Sequence, residues 1–272
     1  MPRGQEKPRV RLPAAGGATS GRAGSIAGMP DGPDTNAEIW KSDQGIALWK
    51  SSAGDQEQRR AEQRRLMAEL LPFADDEPFL FVDLGAGMGA AARTILDRYP
   101  AAQAILADFS PQMMEEGSRA LATYEGRYRY VEFDLARGEW PTGVPASLAA
   151  VISSLCVHHL PDERKRQLFG EIFDRLAPGG WYLNFDPVSA ADPAVEAAWQ
   201  RANDRRDPAA AEKRANRTPE QRAHYENHIR YVIPLDVQVG FLRAAGFDAV
   251  DVYWKELDYV IYGGRRPVAQ GG

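Results

Sequence analysis

The chain has 272 residues, of which 44% are hydrophobic and 26% are charged, the composition of a globular protein large enough for a sizeable core. Its net charge of −5 argues against a general nucleic-acid-binding protein, and its single cysteine, Cys156, excludes an intrachain disulfide framework and a cysteine-based zinc site. No apolar run approaches the roughly 18 residues that a membrane span needs, so we expect no membrane association and a reducing, cytoplasmic location.

The first 35 residues are rich in Gly, Pro, Ala, Ser and Arg and show little apolar periodicity, which predicts a disordered segment over 1–35. Met29 is an alternative start of the natural chain, and a start there would remove most of this segment. From residue 36 onward we predict a single domain, 36–272. Its first part is helical, and Trp40 and Trp49 in that part are candidates for core packing or for covering a ligand.

The chain is organised around residues 79–91, FLFVDLGAGMGAA. An apolar run of the kind found in a strand buried on both faces leads into three glycines and then into alanine-rich sequence that favours helix. Glycines let the backbone approach a ligand closely, and the start of a helix offers unpaired N–H groups. The pattern therefore predicts a nucleotide-binding turn between a strand and a helix.

Two classes of nucleotide fit this turn. The pattern Gly85-x-Gly87-x-x-Ala90, with Asp108 about 20 residues further on, satisfies the relaxed fingerprint of NAD-binding oxidoreductases. Asp83, however, stands just before the first glycine, where a carboxylate suits a cationic ligand better than a pyrophosphate. The resulting Asp-x-Gly-x-Gly-x-Gly pattern resembles the first motif of the class I S-adenosylmethionine-dependent methyltransferases.

Two further strand ends strengthen the resemblance. Residues 104–108 are typical of a second strand, and the segment from Asp108 to Pro111 is similar to the family's second motif, in which an acid at a strand end precedes a helix. Residues 128–133 predict a third strand, which ends at Asp134. Because the carboxyl ends of parallel strands converge on one crevice, three strands that each end in an aspartate are a stronger signal than any one alone.

The later strands carry the rest of the family pattern. Residues 148–154 predict a fourth strand, and the Cys-Val-His-His-Leu-Pro-Asp segment after it resembles the family's fourth-strand motif. The Leu-Ala-Pro-Gly-Gly turn at 176–180 precedes a fifth strand at 181–186, and this turn is a family hallmark that dinucleotide dehydrogenases lack. The segments 247–254 and 258–264 resemble the family's sixth and seventh strands.

The resemblance covers about residues 77–266 and implies an α/β fold. The implied architecture is a doubly wound, mostly parallel sheet of seven strands, the last of them antiparallel. Residues 187–233 have no counterpart in the family pattern and are predicted to form a cap of two or three helices, which in this family covers the substrate pocket. The helix that follows, from Pro234 to Leu242, should end at Gly246.

The resemblance also implies a cofactor, S-adenosylmethionine, and a set of contacts to it. Asp83 is expected near the ammonium of the cofactor, Asp108 at the ribose hydroxyls, and Phe109 against the adenine. The full set of expected cofactor-binding residues is Asp83, Gly85, Ala86, Gly87, Asp108, Phe109, Met113, Asp134, Leu135 and Ser154.

The implied reaction is transfer of a methyl group, by in-line displacement, to an O, N or S atom of a small molecule. His159 is the predicted general base, with packing or a backbone hydrogen bond as its alternative role, and His158 is expected to face the opposite side. Cys156 is interpreted as a small core residue. His224 and His228 are spaced to share a helix face, but a third ligand of clear spacing is lacking, so no metal is predicted.

Three other functions remain open at this point. The cap and the segment 241–255 also resemble the carboxy-S-adenosylmethionine synthases of tRNA wobble-uridine modification, in which Arg201, Arg205 or Arg230 would hold the added carboxylate. A NAD-dependent oxidoreductase is disfavoured by Asp83 and by the Pro-Gly-Gly turn. A non-catalytic subunit would bind S-adenosylmethionine and turn over nothing. Nucleic acid is not expected as the acceptor, and the sequence does not indicate the oligomeric state.

Overall fold

The computed structural model describes residues 57–58 and 60–268, so the predicted disordered segment, Trp40 and Trp49 lie outside the described residues. The described chain begins in a helix that runs to residue 70 (α1) and continues as strands and helices that largely alternate. The strands are Leu80–Leu84 (β1), Gln103–Asp108 (β2), Tyr128–Glu132 (β3), Leu148–Ser154 (β4), Leu176–Pro187 (β5), Asp248–Glu256 (β6) and Tyr259–Arg265 (β7). The helices after α1 are Ala90–Arg98 (α2), Pro111–Ala120 (α3), Asp162–Arg175 (α4), Pro193–Arg206 (α5), Pro208–Ala215 (α6), Pro219–His228 (α7) and Leu235–Ala245 (α8).

Within the described part of the chain, seven strands form one sheet in the order β3-β2-β1-β4-β5-β7-β6. Strands β1 to β5 pair in parallel, and β7 is antiparallel to both of its neighbours, β5 and β6. This order confirms the fold class expected from the sequence. The chain proceeds outward in one direction from β1 to β3 and in the other from β4, and a sheet that reverses in this way leaves a ligand crevice at the carboxyl ends of its strands.

Helices cover both faces of the sheet. Along β1, Phe81 packs with residues of α1 and α2 on one face, and Val82 packs with residues of α4 and α8 on the other. The same alternation continues along β2, where Leu106 joins the first cluster and Ile105 the second. Strands buried on both faces require nearly continuous hydrophobic sequence, which explains the apolar run before the glycines.

The fifth strand differs from its predicted form. The turn expected before it belongs to the strand, because Leu148 pairs with Leu176 and Ala150 with Trp181, so the residues between them bulge out of the ladder. Gly179 takes a φ of 84° in this bulge. At Gly180 a Cβ atom would lie 2.9 Å from the carbonyl oxygens of Ala177 and Leu148. The glycine pair thus allows a bulge within β5 rather than a turn that separates it from α4.

The insertion after β5 forms three helices, α5, α6 and α7, as the sequence predicts. Each begins with proline after a capping residue whose side chain accepts a backbone N–H: Asp192, Asp207 and Thr218. None of the residues in these three helices is buried. We call the segment 188–233 the cap.

A narrow neck joins the cap to the sheet. At its base the N–H of Ser189 donates to the carbonyl of Ile233 over 3.2 Å, so the chain leaves and re-enters the body at adjacent points. Further ties run from the Asn203 amide to Asp258 (3.1 Å) and from Arg206 to Glu256 (2.5 Å). Beyond the neck, α8 ends at Gly246 with a φ of 103°, as expected. Among the helices that the structure describes, none has the length and apolar character that crossing a membrane requires.

Candidate active site

The turn after β1 has the left-handed backbone that its glycines predict. Gly85, Gly87 and Gly89 have φ angles of 66°, 52° and 77°, a region that other residues rarely adopt. The N–H groups of Gly85 and Ala86 both donate to the carbonyl of Ala107 at the end of β2, over 2.8 and 3.1 Å. These bonds fix the turn against the neighbouring strand.

The first two glycines of the turn face different surroundings. A Cβ atom on Gly85 would lie 2.0 Å from the sulfur of Cys156, so packing alone requires glycine there. A Cβ atom on Gly87 would meet nothing within 4 Å. The turn is therefore closed on the side of Gly85 and open at Gly87, where a ligand can approach the backbone.

Tyr130 of β3 buttresses the turn, a role that sequence reasoning missed. Its hydroxyl donates to the carbonyl of Gly87 over 2.9 Å. Gly117 makes room for it, because a Cβ atom on Gly117 would lie 1.8 Å from that hydroxyl. A glycine within a helix costs about 1 kcal/mol relative to alanine, so Gly117 in α3 is the sequence signal that a close contact is needed.

Asp83 is prepared for a partner that the protein does not supply. Its side chain is 1% exposed, and Oδ2 accepts from the N–H of Ala92 in the first turn of α2 over 3.1 Å. Oδ1 is buried and has no hydrogen-bond partner. Burial raises the pKa of this carboxyl to about 7. An ammonium group that donated to Oδ1 would satisfy it, so Asp83 fits the aminocarboxyl end of S-adenosylmethionine.

The α1 helix adds a buried cation to this end of the site. Arg64 is 6% exposed and forms an ion pair with Glu57, while its Nε is buried and has no hydrogen-bond partner. Its charge works against the burial effect by lowering the pKa of Asp83. Sequence reasoning did not single out Arg64, because nothing in a charged helix marks which arginine faces inward.

Asp108 holds the glycine turn and still has capacity for a ligand. Its Oδ2 accepts from the N–H of Gly87 over 2.7 Å, and its Oδ1 accepts from the N–H of Ser110 over 2.9 Å. The N–H of Phe109 also donates to this carboxylate, which leaves about one of its four acceptor positions for a ribose hydroxyl. Burial raises the pKa of Asp108. Ser110 caps α3 by accepting from Met113, which is buried, and Phe109 beside them is half-buried.

The third predicted aspartate has a different environment. Asp134 is partly exposed, accepts from the N–H of Ala136 over 3.0 Å and pairs with Arg137 over 3.2 Å. Leu135 is buried, and its carbonyl accepts from Arg164 over 2.7 Å. Ser154 ends β4, half-buried beside β5. The structure links Asp108 to the glycine turn directly and gives Asp134 only local partners.

A cluster of histidines lies next to the turn at the same edge of the sheet. His158 and His159 end a short 3₁₀ helix, Val157–His159, after β4, and their ring centroids are 3.9 Å apart. The prediction that His158 faces the opposite side is therefore wrong. Successive side chains point to opposite sides of an extended strand, whereas in a 3₁₀ helix they differ by only about a third of a turn, which lets these two rings meet.

His158 is held in one tautomer by Asp186 at the end of β5. Its Nδ1 lies 2.7 Å from Asp186 Oδ1, and its backbone N–H donates to Oδ2 over 2.8 Å. An ionised carboxylate only accepts, so we assign the ring hydrogen to Nδ1. The Nε2 of His158 is then a lone-pair acceptor, and it is buried without a hydrogen-bond partner.

Asp186 is fixed in turn by a polar chain that crosses the core. Asn184 donates to Asp186 over 3.3 Å and to the hydroxyl of Tyr262 over 2.9 Å. That hydroxyl donates to Gln238 of α8 over 2.6 Å. All four side chains are buried, so the orientation of His158 is set by the core of the fold.

The cap contributes a third histidine, His228, at the end of α7. Its ring centroid lies 5.3 Å from that of His158 and 4.9 Å from that of His159. Burial and then the neighbouring His158 lower the pKa of His228 to about 4, and burial first, then the electrostatic influence of His158, His228 and Lys165, holds the pKa of His159 well below its usual range. Both rings are neutral at pH 7. His224, four residues earlier on α7, is exposed.

Cys156 connects the two parts of the site. It lies against Gly85 and packs on the core, as the interpretation of a small packing residue requires. Burial first, and then the carboxylates of Asp108 and Asp186, hold the pKa of its thiol well above the usual range. Cys156 is therefore close enough to the carboxylates of both parts of the site to be affected by their charge.

Comparison with known proteins agrees with this geometry. A family model described as a methyltransferase domain matches residues 81–180. The trans-aconitate 2-methyltransferase of Methylobacterium radiotolerans is 30% identical over 214 residues, which cover 76% of each chain.

Solved structures with the same fold include an O-methyltransferase family protein from Burkholderia thailandensis, with a TM-score of 0.63, 18% identity, and coverage of 87% of this chain and 64% of that one. They also include human N-acetylserotonin methyltransferase in complex with SAM, with a TM-score of 0.57, 16% identity, and coverage of 88% of this chain and 61% of that one. The chain thus spans less than two thirds of these two proteins.

The chain belongs to the class I S-adenosylmethionine-dependent methyltransferases, and its cofactor is S-adenosylmethionine. This membership favours methyl transfer over both a carboxy-S-adenosylmethionine synthase and a NAD-dependent oxidoreductase.

Proposed function

We propose that the enzyme transfers a methyl group by in-line displacement to an O, N or S atom of a small molecule that lies between the glycine turn and the histidine cluster. Oxygen is the first candidate, because the relative from Methylobacterium radiotolerans is named for trans-aconitate, a small polycarboxylic acid. The observation that carries the proposal is the buried, unpartnered Nε2 of His158 at the edge of the sheet that also holds Asp83 and Asp108.

S-adenosylmethionine, when bound, supplies an electrophilic methyl carbon on its sulfonium. Asp83 and Arg64 would hold the oppositely charged ends of its methionine part, and Asp108 would accept from a ribose hydroxyl. The remaining expected contacts stay with the residues that the family pattern implies: Gly85, Ala86, Gly87, Phe109, Met113, Asp134, Leu135 and Ser154. Holding the two reactants in line can contribute roughly 7–11 kcal/mol to the rate.

A histidine would take the proton of a hydroxyl or ammonium acceptor. His159 is the base that the sequence predicts, and its neutral ring at pH 7 is competent for that role. The structure adds His158, whose hydrogen on Nδ1 is held by Asp186 and whose Nε2 can accept a proton. General base catalysis of this kind contributes about 10²–10⁴-fold.

Among oxygen acceptors, a carboxylate is the alternative to a hydroxyl, and the relative named for trans-aconitate favours it. A carboxylate is already ionised at neutral pH and needs no base. The histidines would then orient the acceptor instead of deprotonating it, and their loss would affect KM more than kcat.

The test is a methyl-transfer assay on the full chain with two acceptor panels, small di- and tricarboxylic acids including trans-aconitate, and hydroxylated aromatic compounds. Product is identified by mass spectrometry. For a hydroxyl acceptor, His159→Ala or His158→Ala should lower kcat by about 10²–10⁴-fold and leave the Kd for S-adenosylhomocysteine unchanged. His224→Ala, on the exposed side of the cap, is the matched control.

Two results would contradict the proposal. One is the absence of any methylated product from both panels. The other is a histidine variant that loses turnover and cofactor affinity to the same extent, since that would show a packing role beside the cofactor.

A further inference from the structure

We propose that His158, His159 and His228 form a binding site for a divalent transition-metal ion of the zinc type, with Asp186 holding His158 in the ligating tautomer. The site joins the turn after β4 to the last residue of the cap helix α7. Metal binding itself does not require methyl transfer, whereas the catalytic role suggested below rests on the proposed function.

The first support is the distance between the ring nitrogens. One nitrogen from each of the three histidines lies within 4.8 Å of the other two. Zinc–nitrogen bonds of about 2.0–2.1 Å in a tetrahedron place the ligand atoms roughly 3.3 Å apart. A contraction of this size is within reach of side-chain rotation, because His159 and His228 are only half-buried.

The second support is the state of His158. Its Nε2 is buried and unpartnered, in a side chain that is 4% exposed. A buried polar atom without a partner is costly, and in native structures it calls for an explanation such as an ion. A histidine that ligates a metal commonly donates its other ring hydrogen to a carboxylate, which is the arrangement of Nδ1 with Asp186 at 2.7 Å. This contact is independent of the distances within the cluster.

The chemistry of the donors selects the class of ion. Three imidazoles suit zinc, cobalt, nickel, copper or ferrous iron, whereas magnesium and calcium prefer oxygen ligands. Both oxygens of Asp186 are engaged by His158, so the carboxylate orients a ligand and does not supply one. Three protein ligands leave a fourth position open, which is typical of catalytic zinc sites.

The open position gives the ion a role in the proposed reaction. An acceptor hydroxyl or carboxylate bound there would be positioned next to the cofactor, and the pKa of a bound hydroxyl would fall. The ion would then activate the acceptor, and His158 and His159 would serve as ligands instead of bases. Because His228 belongs to the cap, the ion would also fasten the cap to the body.

The experiment uses the full chain, dialysed against a chelator and titrated with cobalt(II), whose visible absorption reports low-coordinate histidine ligation. We expect one cobalt ion per chain, displaced by zinc, and a rise in the melting temperature with either ion. His228→Ala should abolish the absorption band, and His224→Ala, an exposed histidine on the same helix, should retain it. Asp186→Asn should weaken binding about 10–100-fold.

The inference is overturned if no stoichiometric cobalt site forms, or if His228→Ala binds cobalt as tightly as the unaltered chain. Equal melting temperatures of the two metal-free histidine variants verify that both are folded. Methyl transfer measured in chelator separates the two proposals. A chain that binds cobalt but methylates no acceptor keeps the metal site and rejects the proposed function, and an active chain without a cobalt site does the reverse.

Discussion

The glycine turn, where we propose that the cofactor binds (the cofactor side), and the cap, which we propose covers the acceptor (the acceptor side), are built in different ways. On the cofactor side, Asp83 and Asp108 are buried in the sheet edge, and the glycine turn is tied to β2 by backbone bonds. On the acceptor side, no residue of the three cap helices is fully buried, and the cap meets the body through its neck, a few polar ties and the ring contacts of His228 and Trp199. The cofactor side cannot change without disturbing the fold, whereas the cap can change its surface freely. That division suits a family in which one cofactor serves many acceptors.

Of the variants described here, Gly85→Ala should cause the largest loss in the free energy of unfolding. In Gly85→Ala the new methyl overlaps Cys156 and sits on a left-handed backbone, so we expect a loss of roughly 2–4 kcal/mol in the free energy of unfolding. For a domain of this size that loss lowers the melting temperature by about 5–15 °C, measurable by calorimetry.

Gly87→Ala is the matched comparison, because it changes the backbone in the same way without a clash. We expect a stability loss of only about 1–2 kcal/mol from the left-handed backbone, together with weaker S-adenosylhomocysteine binding. Equal melting temperatures for the two variants would show that Cys156 can move away from the added methyl group. The packing around Gly85 would then not require glycine.

Substitution of Asp83 should separate binding from stability. Loss of a charged hydrogen bond to the cofactor is worth about 1.5–3 kcal/mol, so Asp83→Asn should weaken S-adenosylhomocysteine binding roughly 10–100-fold by titration calorimetry. Without cofactor the variant should be the more stable protein at pH 8, since it no longer buries an ionised carboxylate.

The stability gained in Asp83→Asn should depend on pH, because folding raises the pKa of Asp83. The pKa of Asp83 rises from 3.8 to about 7 on folding, so the folded state binds this proton more tightly than the unfolded state. The destabilisation grows as pH increases from 4 towards 7 and is complete above 7. The advantage of Asp83→Asn should therefore vanish near pH 4, and a variant less stable than the unaltered chain at pH 8 contradicts the assignment.

The smallest effect is expected at the cap. Lys255 of β6 places its ammonium 3.9 Å from the ring centroid of Trp199 in α5. Lys255→Ala should change the free energy of unfolding by at most about 1 kcal/mol and should raise KM for the acceptor without altering cofactor affinity. Arg222→Ala, an exposed cap cation, is the control. A change in cofactor affinity in Lys255→Ala would break the separation of the two sides.

The sheet and the glycine turn could be predicted because short stretches encode them. The positive φ angles of Gly85, Gly87 and Gly89 follow from residue type. The start of α3 follows from Ser110, which caps the helix N-terminus, next to Pro111. The roles of the predicted cofactor-binding residues remain predictions, since the structure shows their surroundings and not their contacts with a cofactor.

The contacts that sequence reasoning missed join distant parts of the chain. His228 meets His158 only because a surface helix of the cap folds back over the turn after β4. The hydrophobic pattern of the cap sequence does not predict this contact. Asp186 ends a predicted strand, but its bond to His158 depends on how β4 and β5 align. Tyr130 on β3 reaches Gly87 across one strand, β2, and the only sequence signal of this contact is Gly117 within a helix.

The narrow neck at Ser189 and Ile233 affects how readily the cap detaches from the rest of the domain. Because no residue of the cap helices is fully buried, they can detach while α2 and α4 stay packed, so we expect their amides to exchange with deuterium well before those of the sheet. The contact of Lys165 with the carbonyl of Tyr231 is one of the few that must break. A cap that detaches this readily would let a methylated product leave while the sheet stays folded, as the lids of many enzymes do.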